Sequence, residues 1–189
     1  MKRTEVINKA IKHFNVFSYL EIGLGKGDNF RNIKATYKIS VDPKGSATYN
    51  TTSDEFFTHN TSKFDFIFID GLHLEEQVHK DILNSLDILN KGGTILCHDM
   101  SPISEEDQVR EYVPGRTWNG DVWKSWVKLR RNRKDLEMYV INVDNGCGVI
   151  RQGKQSLLEG DSPLTFKNLD KHRIEWLNLI EPEDIEWLE

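Results

Sequence analysis

Residues 18–28 read Ser-Tyr-Leu-Glu-Ile-Gly-Leu-Gly-Lys-Gly-Asp. The aromatic and branched residues at its start predict a strand over 18–22. That strand stops abruptly at Gly23. Glycines at 23, 25 and 27 predict a tight turn whose backbone can approach a ligand closely. Asp28 then predicts the cap of a helix running to Ile33. In an open parallel sheet, ligands bind beyond the carboxyl ends of the strands, so this turn faces the site. The turn is Gly-x-Gly-x-Gly, not Gly-x-Gly-x-x-Gly, and Asp28 stands where a dinucleotide fold wants its third glycine. A carboxylate at that helix start is hostile to a pyrophosphate. Glu21 adds negative charge, which suits a ligand carrying an ammonium and a sulfonium group.

Working outward, Ile7, Ala10, Ile11 and Phe14 fall at helical spacing and predict a helix over 4–14. Residues 38–42 predict a second strand, stopped by Pro43. Its last residue, Asp42, lies where an acid can accept hydrogen bonds from both ribose hydroxyls of an adenosine. Together with the turn, this implies an adenosine-bearing cofactor that is not a pyrophosphate. Ser53 predicts the N-cap of a short helix to Thr58. Phe64-Asp65-Phe66-Ile67-Phe68-Ile69-Asp70 is nearly continuous in apolar, β-forming residues, as expected of a strand covered on both faces. Val78, Ile82, Leu86 and Leu89 predict one helical stripe, ending at Gly92-Gly93. Residues 94–97 predict another strand, 121–131 a helix, and 136–140 and 148–150 two late strands. Too few residues join these last two for a parallel crossover, which needs about a dozen, so they should pair antiparallel.

The pattern predicts an α/β fold: a doubly wound, mostly parallel sheet with an antiparallel C-terminal strand pair. One domain is expected over 1–189, with a core of about 16–150 and a C-terminal helical extension over 151–189. Leu164, Phe166, Trp176, Leu177, Leu179, Ile180 and Trp187 make that tail too apolar for disorder. It should pack on the domain or on a partner subunit, which leaves a homodimer open.

The 189 residues carry a net charge of −5. That balance argues against a nucleic-acid partner, because phosphate binding needs a basic surface. No membrane attachment or signal peptide is expected, so the chain reads as cytoplasmic. Cys97 and Cys147 lie on expected strands and read as reduced and buried.

At this level of detail the sequence resembles class I S-adenosylmethionine-dependent methyltransferases. Residues 19–27 resemble their first motif. The resemblance extends through Ser40-Val41-Asp42-Pro43, residues 64–73 and Gly92 to Asp99, covering about 18–150. More narrowly, it points to bacterial small-molecule methyltransferases associated with surface polysaccharide and antibiotic tailoring. Asn119-Gly120-Asp121-Val122-Trp123-Lys124 resembles a further signature of that subgroup, and the tail from Arg173 to Ile180 is similar too. The resemblance implies a Rossmann-like methyltransferase fold and S-adenosylmethionine as cofactor. It implies a binding set of Glu21, Gly23, Leu24, Gly25, Asn29, Asp42, Ser53 and Asp70, with Asp54 nearby.

Asp70 and His73 follow one expected strand, and His98 and Asp99 end another. On neighbouring strands these four would converge where a methyl acceptor sits. His73 and His98, with Asp70, are the candidate catalytic residues, since histidine is the usual general base near neutral pH. His73 is preferred because Gly71-Leu72 can aim it into a cleft. Asp70 and Asp99 are also the candidate ligands of a Mg²⁺ ion. Some similar sugar O-methyltransferases use acids at these two strand ends, and His98 replaces a second acid they often carry. His13, His59, His79 and His172 read as surface. Residues 101–118 form a long connection of the kind that lids a site, with Arg110, Tyr112, Arg116 and Trp118 placed to meet an anionic or sugar-like acceptor. A tryptophan on a helix, such as Trp126, is more often core.

The function expected is O-methylation of a small polar molecule, a sugar or sugar-derived metabolite in surface glycan synthesis. Alternatives are an N-methyl or phosphoryl-linked acceptor, a nicotinamide-dependent reductase on a related sheet, and a binding module without chemistry.

Overall fold

The computed structural model describes residues 1–188. Helix α1 (Arg3–His13) precedes β1 (Ser18–Ile22), α2 (Asp28–Asn32), β2 (Tyr37–Val41) and α3 (Ser53–His59). There follow β3 (Phe64–Ile69), α4 (Glu75–Asp87), β4 (Leu89–Cys97) and α5 (Trp123–Asn132). The chain continues through β5 (Leu136–Ile141), β6 (Cys147–Gln152), α6 (Phe166–Leu177) and β7 (Leu179–Ile180), and ends in two single 3-10 turns. The strands form one sheet in the order β2-β1-β3-β4-β6-β5-β7. Strands β1, β2, β3 and β4 pair in parallel, and β6 runs antiparallel to both β4 and β5. This is the doubly wound, mostly parallel sheet with an antiparallel pair that the patterning predicts.

Alternation along the strands explains why both faces are covered. On β3, Ile67 and Ile69 join the core beneath α4, α5 and α6, while Phe66 and Phe68 join the core beneath α1. Trp123 and Trp126 are fully buried in the first of these cores. Among the described residues, no helix is long and apolar enough to cross a membrane. Both cysteines are free and buried.

Several local expectations need correction. The helix stripe ends before Leu89, which opens β4 and pairs with Phe64 across a register shift. Gly92-Gly93 therefore lies inside a strand. Gly93 is needed there because a Cβ would stand 2.9 Å from the carbonyl oxygens of Asp65 and Asn90. The N-cap of α2 is Gly27, in a left-handed conformation, and Asp28 is the first helical residue. Thr52, not Ser53, caps α3: its side chain accepts from the Glu55 N–H. The region after 150 is not purely helical, since β7 adds a strand parallel to β5 at the sheet edge. His79 is half-buried at the α4–α5 contact, where its Nδ1 meets Ser125 Oγ at 3.0 Å. His172 is also half-buried and stacks on Trp176.

Candidate cofactor and acceptor site

Strand register builds the site. Val41, Ile22, Ile69 and Cys97 are consecutive partners across β2, β1, β3 and β4. The next residue on each chain is Asp42, Gly23, Asp70 and His98. Adjacent strands are about 4.8 Å apart, so these four stand in a row along the carboxyl edge of the sheet. The 142–146 turn between β5 and β6 reaches the same edge, because Cys97 pairs with Gly148. It brings in Asp144.

The glycine turn sits against this row. Gly23 has φ +91°, and a Cβ there would lie 2.1 Å from the Asp70 carbonyl oxygen. Only glycine permits that close approach. Gly25 differs: nothing lies within 4 Å of its added Cβ, so its face is open to a ligand. Asp42 fastens the turn to β2. Its Oδ2 accepts from the N–H groups of Leu24 (2.9 Å) and Gly25 (3.1 Å), and its Oδ1 accepts from Lys44 N–H (2.7 Å). Oδ2 is thereby filled, and Oδ1 keeps acceptor capacity for a further donor.

Two recesses meet at this edge. The larger, about 470 Å³, is lined by Gly23, Gly25, Asp42, Ser53, Asp70 and Gln77 among others. The smaller, about 250 Å³, is lined by Arg3, Glu21, the 23–29 turn and Asp70. All eight expected cofactor residues line one or the other. Gly23, Gly25 and Asp70 line both. Ser53 takes part through its Oγ, which accepts from Gln77 Nε2 at 3.1 Å.

Glu21 is 1% exposed. Its Oε2 accepts from Tyr19 OH and from Asn29 Nδ2 (2.8 Å). Burial pushes its pKa up to about 7, against the opposing pull of those two donors. Asn29 in turn accepts from Thr4 Oγ1 at 2.7 Å, which ties the first turn of α1 to the same network.

The acid–histidine cluster forms as expected, but its members differ in access. His73 Nε2 lies 3.2 Å from Asp70 Oδ1, and its Nδ1 lies 2.8 Å from the Trp118 carbonyl and 3.3 Å from Asp99 Oδ2. Every partner is an acceptor, an arrangement that favours the doubly protonated ring. Burial opposes that charge, yet Asp70 and Asp99 outweigh it and raise the His73 pKa. His98 is walled in further. Its Nδ1 stands 3.1 Å from Asp99 and 3.4 Å from Asp70, and its Nε2 stands 3.5 Å from Asp144. Burial again opposes the charge, and the three carboxylates again win. For Asp70 the balance runs the other way: burial pushes up, but the histidines hold its pKa below the usual range. The His98 side chain is 4% exposed, against 16% for His73. It lies against both Asp70 and Asp99.

Asp70, Asp99 and His73 bring one ligand atom each within 4.8 Å. This set fits Mg²⁺ poorly. A hard ion wants an oxygen shell, whereas here two imidazoles already face the two carboxylates.

Asn119, Gly120 and Asp121 are the scaffold of the cluster. Asn119 Nδ2 donates to Asp99 Oδ1 at 2.8 Å. Gly120 packs on His73 so closely that a Cβ would meet its carbonyl oxygen at 1.9 Å. Asp121 Oδ1 accepts from Glu75 N–H (2.9 Å) at the start of α4, and its Oδ2 accepts from Arg110 (2.7 Å). Arg110 also pairs with Glu76, and Arg116 with Glu106, so the loop's two arginines fasten it. Trp118 stacks flat on His73 at 4.6 Å, and Tyr112 meets Trp118 edge-on at 5.4 Å.

Sequence reading missed Arg3, Thr4 and Asp144. Arg3 and Thr4 sit in a polar N-terminus with no motif. The Asp144-Asn145-Gly146 turn reads only as a hairpin connection, although its left-handed residues 144 and 145 mark a tight turn.

Residues 25–100 match a protein family described as a methyltransferase domain. Solved structures with the same fold include the O-methyltransferase TomG of Streptomyces achromogenes, involved in tomaymycin synthesis and crystallised with S-adenosylmethionine. It is 12% identical with TM-score 0.60, covering 79% of each chain. The methyltransferase PaMTH1 of Podospora anserina, bound to S-adenosylhomocysteine, is 16% identical with TM-score 0.59, covering 80% of this chain and 78% of that one. An O-methyltransferase of Bacillus cereus, also with S-adenosylhomocysteine, is 13% identical with TM-score 0.55, covering 78% of each. No curated protein matches in sequence. The fold is the Rossmann-like methyltransferase fold, and the family match agrees with it from Gly25 of the glycine turn through the Asp42 and Asp70 strand ends and β4.

Proposed function

We propose that this protein is an S-adenosylmethionine-dependent methyltransferase that methylates an oxygen of a small polar acceptor, a sugar or sugar-derived metabolite used in surface glycan synthesis. The carrying observation is the two-part cleft along the strand ends. Its larger recess has Asp42 for ribose hydroxyls, and its smaller recess has a buried carboxylate, Glu21, for an ammonium group. Asp70 stands where the two recesses meet, beside the expected place of the sulfonium. The S-adenosylmethionine and S-adenosylhomocysteine bound in the similar structures support the same reading.

The acceptor oxygen attacks the methyl carbon in line with the carbon–sulfur bond. That bond breaks, its electron pair stays on sulfur, and the cofactor leaves as the neutral thioether. Holding both reactants in this alignment is the main source of rate. The acceptor hydroxyl also loses its proton. His73 can take it at Nε2 only in its neutral form, so its raised pKa sets the pH at which it serves. Trp118 and Tyr112 support a sugar-like acceptor, because aromatic faces stack on sugar rings.

Calorimetry with S-adenosylhomocysteine tests the cofactor. Transfer of labelled methyl to sugars and nucleotide sugars, with amines and phosphorylated compounds as rivals, tests the acceptor. Binding of NADH without S-adenosylhomocysteine would sink the cofactor reading. Transfer to amines alone would sink the O-methyl reading.

A further inference from the structure

We propose that Arg3 is the carboxylate anchor of the cofactor site, so that Arg3 and Glu21 form a clamp for an amino-acid zwitterion. This rests on the S-adenosylmethionine reading and names the residue that grips the far end of that ligand. The smaller recess, about 250 Å³, is lined by Arg3 as well as Glu21. A ligand ending in both an ammonium and a carboxylate needs one charge of each sign, and Glu21 supplies only the negative one.

Arg3 is held ready for an anion. Its backbone N–H and Nη1 donate to Asp144 Oδ2 at 2.9 and 3.2 Å. Its Nε is buried without a hydrogen-bond partner, 3.6 Å from Asp70 Oδ2. Its Nη2 makes no hydrogen bond among the described residues, and its side chain remains 34% exposed. Nη1 also stands 3.4 Å from His98 Nε2, so Nη2 is the donor left to receive a carboxylate. Helix stability does not explain the residue, because a cation in the first turn of α1 opposes the helix dipole. The same turn also reaches Glu21, through Thr4 and Asn29. One helix start thus fixes both halves of the clamp.

The test compares three ligands on the full chain: S-adenosylhomocysteine, its decarboxylated analogue, which keeps the ammonium, and 5′-methylthioadenosine, which lacks the amino acid. The wild type should prefer S-adenosylhomocysteine over the decarboxylated analogue by about ten- to a hundredfold, the range of a charge-assisted hydrogen bond. Arg3→Met should erase that preference and leave 5′-methylthioadenosine affinity unchanged. Arg3→Lys, which keeps a cation, should restore part of it. Equal weakening of all three ligands by both variants would mean that Arg3 only anchors α1, and a preference that survives Arg3→Met would equally overturn the proposal. Failure of the underlying cofactor reading looks different: the wild type itself would bind none of the three.

Discussion

The Glu21 carboxyl is buried among Tyr19, Asn29 and the sheet, and burial raises its pKa to about 7. The unfolded chain releases this proton near 4.5. The folded state therefore binds the proton more tightly, and stability of the ligand-free protein falls as pH rises from about 4.5 to about 7. Full ionisation costs on the order of 3 kcal/mol. We expect Glu21→Gln to raise the urea midpoint at pH 8 and to leave it nearly unchanged at pH 5. The same substitution should weaken S-adenosylhomocysteine binding, because the ligand's ammonium loses its charged partner. A variant that is no more stable at pH 8 would contradict the buried-charge account. His73 gives a second residue-scale expectation. Its pKa lies above 6.5, and only the neutral ring is a base, so kcat/KM should rise with pH through that raised value. His73→Gln should remove the inflection and lower kcat by about 10²–10⁴-fold. An unchanged pH profile would assign the proton to another group.

The segment from Asn119 to Asp121 acts at the scale of elements: it joins the 101–122 connection to α4, β4 and the His73 loop at once. Asp121 caps α4 from outside the helix, by accepting from Glu75 N–H. Asp121→Ala should therefore cost about 1–2 kcal/mol, as loss of a helix cap does, read from urea unfolding. It should also loosen the loop, because Arg110 loses one of its two carboxylates. Trp118→Ala touches a different function of the same connection. It strips the ring stacked on His73 and should raise the acceptor KM without changing S-adenosylhomocysteine affinity. Equal losses in both would show that Trp118 shapes the whole cleft.

At the scale of the molecule, the sheet sets four parallel strand ends and the β5–β6 turn side by side and interleaves positive and negative groups among them. Arg3, His73 and His98 face Asp70, Asp99 and Asp144. Imidazoles thus already face the two acids that a divalent ion would need. We expect methyl transfer to proceed at the same rate in EDTA and in added Mg²⁺. A rate that collapses on chelation and returns with Mg²⁺ would show that the cluster rearranges around a metal.

Residues 18–28, 38–42 and 64–70 announce their strands and turn without outside help, because alternation, β-branching and glycine act over a few neighbours. The order of acids along the strand ends was legible for the same reason. Leu89 misled because an apolar residue continues a helical stripe as readily as it starts a strand, and only pairing with Phe64 decides between them. Asp144 meets Arg3 across 141 positions of chain, a contact that no local pattern encodes. The sealing of His98 and the edge strand β7 likewise depend on which segments the completed sheet brings together. Sequence determined the elements and the chemical types at their ends, since those follow from short-range preference. Tertiary structure decided which charges face one another and which of them water can reach, since both depend on groups far apart in the chain.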